Sequence, residues 1–452
     1  MSFSHALAER ALSLRLDDRP AEIIHIARRA VADTIGVALA GCRAPFIDAL
    51  EAVTEIGAAP GEATLWGRGK RASVLQAALI NGVSAHALDF DDCSTTMGGH
   101  PSAPVLPAIL ALAESRGASA GQVFEAYVTG FEVETRLARG LLPHHYEKGW
   151  HPTATLGVFG ATAASSRLLG FDAGQMANAL SMAVSMASGL KSNFGTPVKP
   201  LHVGQAAYNG VLAALMTERG MGANAEAFEH NYGFFRLFNG EGNYDAEAIL
   251  SGWDGPLDML EPGIAIKQHP CCGSAHSAID AALAIVAEHG LLDPASIELV
   301  ETSTHERRLA HTNRPRPQSG LDAKFSVQFL SAKALTEGRI RLGDFDDATF
   351  LTAPVAELLP RVRSSAHQDA DAYLGKVRVI LRDGRALEGS ASTRFGRGPT
   401  NPMSDAELKD KFTDCALPVL GPVTSADLFD HILGLAADAD MRPVLAACAA
   451  KA

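Results

Sequence analysis

Residues 151–168 read HPTATLGVFGATAASSRL, a run of small and apolar residues that starts with a His-Pro pair. Residues 181–189, SMAVSMASG, have the same character, and residues 24–38 place apolar side chains at helical spacing. Side chains as small as Gly and Ala let neighbouring helices approach closely. The sequence therefore predicts a tightly packed helical bundle over residues 1 to about 265.

The pattern changes in the second half of the chain. Residues 296–305, SIELVETSTH, alternate apolar and polar side chains, as a half-buried strand does. Residues 376–392 form a hairpin signal with Asp-Gly at the turn, and residues 323–340 predict a helix that stops at Gly338. We expect a mainly α protein, with a large all-helical domain over 1–268 and a smaller α+β domain over 269–397. The helical pattern that returns in 398–452 could dock back on the first domain.

Composition and charge exclude several classes of protein. The chain has 452 residues, 47% of them hydrophobic, and a net charge of −12, so it has material for a packed core and is a poor ligand for nucleic acid. The six cysteines form no C-x-x-C pair, and phosphate-loop, dinucleotide-binding and serine-hydrolase motifs are absent. The N-terminus lacks a secretory signal, and no apolar stretch reaches membrane length. We expect a cytoplasmic protein.

Four prolines that each follow a histidine or a lysine mark predicted helix starts. They lie in His100-Pro101, His151-Pro152, Lys199-Pro200 and His269-Pro270. The residue before a proline is extended, and the helix start that follows presents free N–H groups and a positive dipole end. Ordinary helix starts explain any one of these pairs. Converging in space, they would form a pocket for carboxylates.

An acidic cluster precedes the first of these pairs. His86, Asp89, Asp91 and Asp92 lie within seven residues. Such a cluster could hold a metal, supply a general base, orient nearby cations or simply form an acidic helix cap. We expect no metal, because a divalent site usually takes further carboxylates from elsewhere.

Tyr146 is a candidate general acid or base, because Lys148 and His151 follow it closely and could lower the pKa of its hydroxyl. The alternative is that its ring packs in the core.

At these residues the sequence resembles the MmgE/PrpD family, which includes 2-methylcitrate dehydratase, cis-aconitate decarboxylase and iminodisuccinate epimerase. The matching segments are DTIGVALAG (33–41), NGVSAHALDFDD (81–92), GGHPSAPVLPAILALAE (98–114), GWHPTATLGVFGATAASSRLLG (149–170), GTPVKPLHVGQAAYNGVLAALMTERG (195–220), IKQHPCCGSAHSAIDAAL (266–283) and AKFSVQFLSAKALTEGRI (323–340).

The resemblance implies a homodimer whose chemistry uses neither a metal nor an organic cofactor. It places the catalytic residues on Tyr146, Lys199, His151, Asp89 and His100. Tyr146 and Lys199 match the acid/base pair of the epimerase branch.

Substrate binding is assigned to Lys267, His269, Cys272 and His86. Two of the matched positions depart from the decarboxylase branch. Cys93 stands where that branch has a threonine, and Cys272 where it has a catalytic histidine.

We therefore predict an enzyme that abstracts an α-proton from a small di- or tricarboxylate. The carbanion needs cations already in place around the carboxylate that shares its charge. A lyase of the dehydratase type is the first expectation and an epimerase of a dicarboxylate the alternative. A non-catalytic, carboxylate-binding helical protein is a further alternative. Neither nucleic acid nor a membrane is expected as a partner.

Overall fold

The computed structural model describes residues 1–54 and 61–449, and the chain divides into two compact units. Unit 1 comprises Met1–Ile264 and Met403–Ala452, and unit 2 comprises Ala265–Pro402. The fold is mainly α, as the sequence predicts. The domain boundaries at residues 268 and 398 stay a prediction.

The helices are listed first and the strands after them. The helices are α1 (Phe3–Ser13), α2 (Glu22–Gly41), α3 (Pro45–Val53), α4 (Val74–His86), α5 (Ser102–Arg116), α6 (Ala120–Leu141), α7 (His144–Glu147), α8 (Pro152–Thr155), α9 (Gly157–Leu168), α10 (Ala173–Val184), α11 (Val198–Glu218), α12 (Ala246–Leu250), α13 (His276–His289), α14 (Glu306–Thr312), α15 (Gly320–Ala323), α16 (Val327–Glu337), α17 (Val355–Leu358), α18 (Asp405–Leu420), α19 (Pro422–Leu433) and α20 (Arg442–Ala447). The strands are β1 (Ala63–Leu65), β2 (Lys70–Ala72), β3 (Cys93–Ser94), β4 (Ile264–Ala265), β5 (Ile297–His305), β6 (Val362–His367), β7 (Leu374–Leu381) and β8 (Ala386–Ser392).

Close helix packing in unit 1 depends on glycine. A Cβ atom built on Gly204 of α11 would lie 2.3 Å from the carbonyl oxygen of Leu79 in α4. One built on Gly130 of α6 would lie 2.5 Å from the carbonyl oxygen of Gly160 in α9. Both distances are far below van der Waals contact, so any side chain would push the helices apart. The predicted tight packing of the Gly- and Ala-rich helices is confirmed.

Capping residues fix where several helices of unit 1 begin. In α4, α6 and α10 a serine or aspartate before the first turn accepts from the third residue, whose glutamine side chain returns the contact. This reciprocal pair satisfies two of the backbone N–H groups that a helix start leaves open. The capped start of α4 matters most for the site, because it helps to fix the helix that ends at His86.

Unit 1 is not wholly helical, which corrects the expectation of an all-helical domain. Strands β1 and β2 pair antiparallel, with Ala63 opposite Ala72. The turn between them contains Gly67 and Gly69, both with positive φ (71° and 61°). Glycine adopts this conformation without steric cost, so the residues that join these strands close a tight hairpin.

Unit 2 contains a four-stranded sheet in the order β6-β5-β7-β8. Strand β5 pairs parallel with β6 and antiparallel with β7, which forms a hairpin with β8. Helices α13 and α16 pack together, and α13 covers β7 and β8. The predicted strand, the hairpin and the helix that ends at Gly338 (φ 72°) are confirmed.

Among the described residues no single helix is long and apolar enough to cross a membrane. Helices α2 and α3 pass by length and composition only when taken together, and they are bent by 90°.

Candidate active site

The acidic segment between α4 and α5 turns sharply at Asp89. The φ angle of Asp89 is +54°, in the left-handed region, and its backbone N–H donates to the carbonyl of His86 at 3.3 Å. Aspartate is among the non-glycine residues that tolerate this region best. After this turn the segment that follows His86, at the end of α4, carries the carboxylates of Asp89 and Asp91. Both of these carboxylates contact His100.

Lys199 and His100 both contact the Asp89 carboxylate. The Lys199 Nζ atom donates to Asp89 Oδ1 at 3.0 Å, and His100 Nε2 lies 3.4 Å from the same oxygen. The side chains of Lys199 and Asp89 are 15% and 18% exposed, so water reaches the pair without surrounding it. The three groups form an ion cluster that a small anion could enter.

Asp91 lies deeper and binds two imidazoles. Its Oδ2 atom is 2.8 Å from His86 Nδ1 and 3.2 Å from His100 Nδ1. Burial acts to raise the pKa of Asp91, but His100 and His86 outweigh burial and hold that pKa well below its usual value. Burial lowers the pKa of His86 to about 4. At neutral pH, Asp91 is therefore ionised and His86 neutral.

His151 is a buried, neutral imidazole beside this cluster. Its ring centroid lies 5.9 Å from that of His86, and its Nδ1 atom lies 3.4 Å from His202 Nδ1. Burial first, and then the positive charges of neighbours such as Lys199, hold the pKa of His151 well below its usual value. A neutral imidazole can accept a proton or donate its one N–H.

The segment 189–194 encloses one side of His151. The carbonyl of Gly189 (φ 133°) accepts from the His151 backbone N–H at 3.0 Å. The Phe194 ring meets the His151 ring edge to face at 4.9 Å, and Lys199 Nζ lies 5.3 Å from the Phe194 ring centroid. An aromatic wall at this distance limits the access of water to both groups.

Tyr146 lies in the short helix α7 and packs against the same segment. The ammonium of Lys191 lies 3.5 Å from its ring centroid, and the same amine donates to the Tyr146 carbonyl at 2.9 Å. The Lys191 amine thus lies over the Tyr146 ring. Lys148, which follows α7, donates to the carbonyl of Leu237. The acid/base role of Tyr146 stays a prediction.

Two of the four prolines lie at a helix start, as predicted. His100-Pro101 directly precedes α5, Pro152 is the first residue of α8, and Thr153 Oγ1 accepts from the His100 backbone N–H at 3.1 Å. His269-Pro270 lies further from its helix, because α13 begins at His276. Lys199 differs, because α11 begins at Val198 and includes it. The proline pattern predicts a helix start after Lys199, which is later than the observed start. The first turn of α11 therefore carries the amine directly.

Unit 2 holds the other three predicted binding residues. Lys267 and His269 are buried, and Cys272 is half-buried. His269 Nε2 lies 2.8 Å from Asp280 Oδ1. Burial acts to raise the pKa of Asp280, but the hydrogen bond and charge of His269 outweigh it and lower that pKa to about 2. The Cys272 backbone N–H donates to the Lys324 carbonyl at 3.0 Å. Their role in substrate binding stays a prediction.

A metal is the main alternative for the acidic cluster. His86, Asp89, Asp91 and His100 can each offer one ligand atom, and these four atoms lie within 4.8 Å of one another. Imidazole nitrogen and carboxylate oxygen suit zinc and similar ions. However, Lys199 already brings a positive charge to 3.0 Å from Asp89 Oδ1. A divalent ion would meet repulsion there, so we keep the prediction of a site without a metal.

Two residues of this cluster, His202 and Phe194, were not predicted from the sequence. His202 lies three residues after Lys199 on the same helix, a spacing that places both on one face. This spacing could have predicted that His202 lies beside Lys199. Phe194 has no comparable signal, because only the path of the segment 189–194 brings its ring to His151.

The arrangement in unit 1 can bind an anion and move a proton. It combines the Lys199 amine, the carboxylates of Asp89 and Asp91 and the neutral imidazoles of His86 and His151 in a space that is largely shielded from water. A neutral imidazole or an amine can take a proton from carbon, and an ammonium can stabilise the negative charge that develops. One small carboxylate could contact both the groups that accept a proton and the group that stabilises the negative charge.

Comparisons with known proteins all indicate one family. The MmgE/PrpD N-terminal domain matches residues 5–247, and the MmgE/PrpD C-terminal domain matches residues 269–432. The cis-aconitate decarboxylase of Homo sapiens is 28% identical over 450 residues, covering 96% of this chain and 92% of that protein. The enzyme of that name from Mus musculus is 29% identical, covering 86% and 82%. The one from Aspergillus terreus is 27% identical, covering 96% and 93%.

Proposed function

The chain belongs to the MmgE/PrpD family and is an enzyme of it, and from this premise we propose a lyase that abstracts an α-proton from a di- or tricarboxylate. The reaction is of the dehydratase type. A base takes the proton from the carbon next to a carboxylate, and the electron pair spreads into that carboxylate. The hydroxyl on the next carbon then leaves with a proton from an acid, so that the products are an alkene and water.

Within this proposal Lys199 is the base and Tyr146 the acid. His100 and His151 hold the substrate carboxylate through N–H donation, and Asp89 orients Lys199 and His100. His86 lies at the buried end of the site, in contact with Asp91. The observation that carries the proposal is the meeting of Lys199 and His100 on one Asp89 oxygen, at 3.0 and 3.4 Å.

Other features of the enzyme belong to the same proposal. Lys267, His269 and Cys272 take part in substrate binding, as the family resemblance implies. The helical and α+β domains have the boundaries expected from the sequence, at residues 268 and 398. The protein is a cytoplasmic homodimer, and its reaction uses no metal or organic cofactor.

An epimerase is the second candidate, and a specific residue pair favours it. Tyr146 and Lys199 match the acid/base pair of the epimerase branch, so one could remove the α-proton and the other return it to the opposite face. Decarboxylation of cis-aconitate, the activity in the names of the relatives, is disfavoured by Cys272. An imidazole exchanges protons readily near neutral pH, whereas a thiol with its higher usual pKa is a poorer match for the same transfer.

The test is a panel of di- and tricarboxylates incubated in D₂O and followed by proton NMR. A lyase gives alkene signals together with loss of the α-proton, whereas an epimerase gives deuterium exchange and the second stereoisomer. A Lys199→Met variant is the matched control for each active substrate. If the folded wild type produces neither exchange, water loss nor inversion with any member of the panel, the proposal is wrong.

A further inference from the structure

A lysine of the C-terminal segment, Lys411, lies directly beneath the acidic segment of the site. Its Nζ atom is 2.6 Å from Asp33 Oδ1 and donates to the carbonyl of Phe90 at 2.9 Å. The same amine lies 4.0 Å from the centroid of the Phe90 ring. The side chains of Lys411 and Asp33 are only 4% and 1% exposed. Helix α18 thus brings a sealed ion pair with α2 against one backbone carbonyl.

Phe90 is the residue that joins the two carboxylates of the site. Asp89 precedes it in the left-handed conformation, and Asp91 follows it with its two imidazole partners. A buried carbonyl needs a donor, and here the donor is a charged amine. Contact with both the carbonyl and the ring of Phe90 fixes the backbone between Asp89 and Asp91. The directions of the Asp89 and Asp91 side chains depend on that backbone.

Stability alone is a poor explanation for this buried pair. Taking an ammonium and a carboxylate out of water costs free energy that their attraction often fails to offset. Apolar residues of similar volume often serve a core equally well or better. They could not donate a hydrogen bond to Phe90. What Lys411 supplies, and an apolar residue could not, is the hydrogen bond to the backbone of the site.

We propose that Lys411 is a positioning residue that fixes the Asp89–Asp91 segment for catalysis, acting through the Phe90 carbonyl. The inference rests on the proposed proton abstraction at Lys199 and Asp89. It assigns no contact with substrate to Lys411. Asp33 is the carboxylate partner that holds the Lys411 amine in position.

The experiment compares steady-state kinetics and thermal unfolding for four variants, with the substrate that the NMR panel identifies. Lys411→Met should lower kcat about 10²-fold, the scale of a misplacement of about 1 Å, and should change KM far less. It should also lower Tm, because Asp33 is left buried without its partner. Lys411→Arg keeps the charge and the donors and should retain most of the rate.

The double variant Asp33→Leu/Lys411→Met separates positioning from stability. It removes both charges together, so Tm should return towards that of the wild type while kcat stays low. The variant also covers the case in which Lys411→Met fails to fold. Lys409→Met is the matched control, because Lys409 lies on the same helix and pairs with Asp430 at the surface. Its kinetics should equal those of the wild type.

Recovery of both Tm and kcat in the double variant would overturn the inference, since Lys411 would then serve stability only. An unchanged kcat in Lys411→Met would overturn it as well. Failure of the proposed function gives a different result, because the wild type itself would then show no turnover or α-exchange.

Discussion

Replacing Lys199 by methionine should remove most of the catalytic rate and leave the fold intact. Methionine keeps the unbranched stem of lysine and loses only the amine. Lys199 lies in the first turn of α11, and its amine is partly open to solvent. Asp89 retains His100 as a partner at 3.4 Å, so no carboxylate is left isolated. The change therefore acts on the site and not on the core.

The distance in the structure sets the size of the effect. The ammonium that forms when Lys199 takes the proton stabilises a charged carboxylate oxygen at 3.0 Å, the distance of Asp89 Oδ1 from the amine, by about 5.5 kcal/mol at an effective dielectric constant of about 20. Each 1.36 kcal/mol corresponds to a factor of ten in rate, so complete loss would slow the reaction about 10⁴-fold. Water that enters the vacated space restores part of the stabilisation. We expect kcat to fall by about 10³-fold.

The assay measures alkene formation and α-deuterium exchange by proton NMR, with folding checked by circular dichroism and Tm. Lys409→Met is again the control, since Lys409 is a surface lysine of the same unit that pairs with Asp430. It should keep the wild-type rate. A folded Lys199→Met enzyme within tenfold of wild type would refute the role given to the amine.

Three further predictions concern the acid, the absence of a metal and a buried carboxyl. Tyr146→Phe should slow departure of the leaving group in a lyase, and in an epimerase it should abolish inversion while exchange on one face continues. Near wild-type rates in this variant would remove Tyr146 from the reaction. EDTA should leave kcat unchanged, whereas activity lost on chelation and restored by a divalent ion would make the His86 cluster a metal site. Glu134→Gln should become more stable relative to wild type as pH rises from 5 to 8, measured as the difference in Tm. Burial raises the pKa of Glu134 well above its usual value, so only the wild type loses stability as pH rises above about 4.3 towards that raised pKa. A pH-independent difference in Tm would contradict this reasoning.

Local patterns predicted the elements that local chemistry determines. The alternation in residues 296–305 gave β5, and Asp383-Gly384 gave the turn between β7 and β8, with Gly384 at φ 88°. The His-Pro pairs marked the starts of α5 and α8 because proline restricts the backbone at each of them. These signals depend on a few neighbouring residues. They can be read without knowing the fold.

The rest of the site depends on contacts between distant parts of the chain. Lys411 reaches Phe90 across 321 positions, and neither segment carries a pattern that names the other. The left-handed turn at Asp89 is equally hidden, because aspartate adopts it only where surrounding contacts demand it. The lysine of α11 was predicted as a site residue, but its helix start was placed too late. A proline within the first turn of a helix reads much like one just before it.

Two Lys–Asp pairs meet at the same short segment, and their exposure gives them different roles. Lys411 and Asp33 are 4% and 1% exposed, so neither can exchange its partner for a substrate group. Lys199 and Asp89 are 15% and 18% exposed, so an entering carboxylate can replace Asp89 as the partner of the amine. The exchange costs little, because one carboxylate takes the place of another. The sealed pair fixes the backbone that carries Asp89, and the open pair holds the Lys199 amine in place until the substrate arrives. A site that removes a proton from carbon needs both, since an amine placed in advance requires no reorganisation when it takes the proton and its new positive charge stabilises the carbanion.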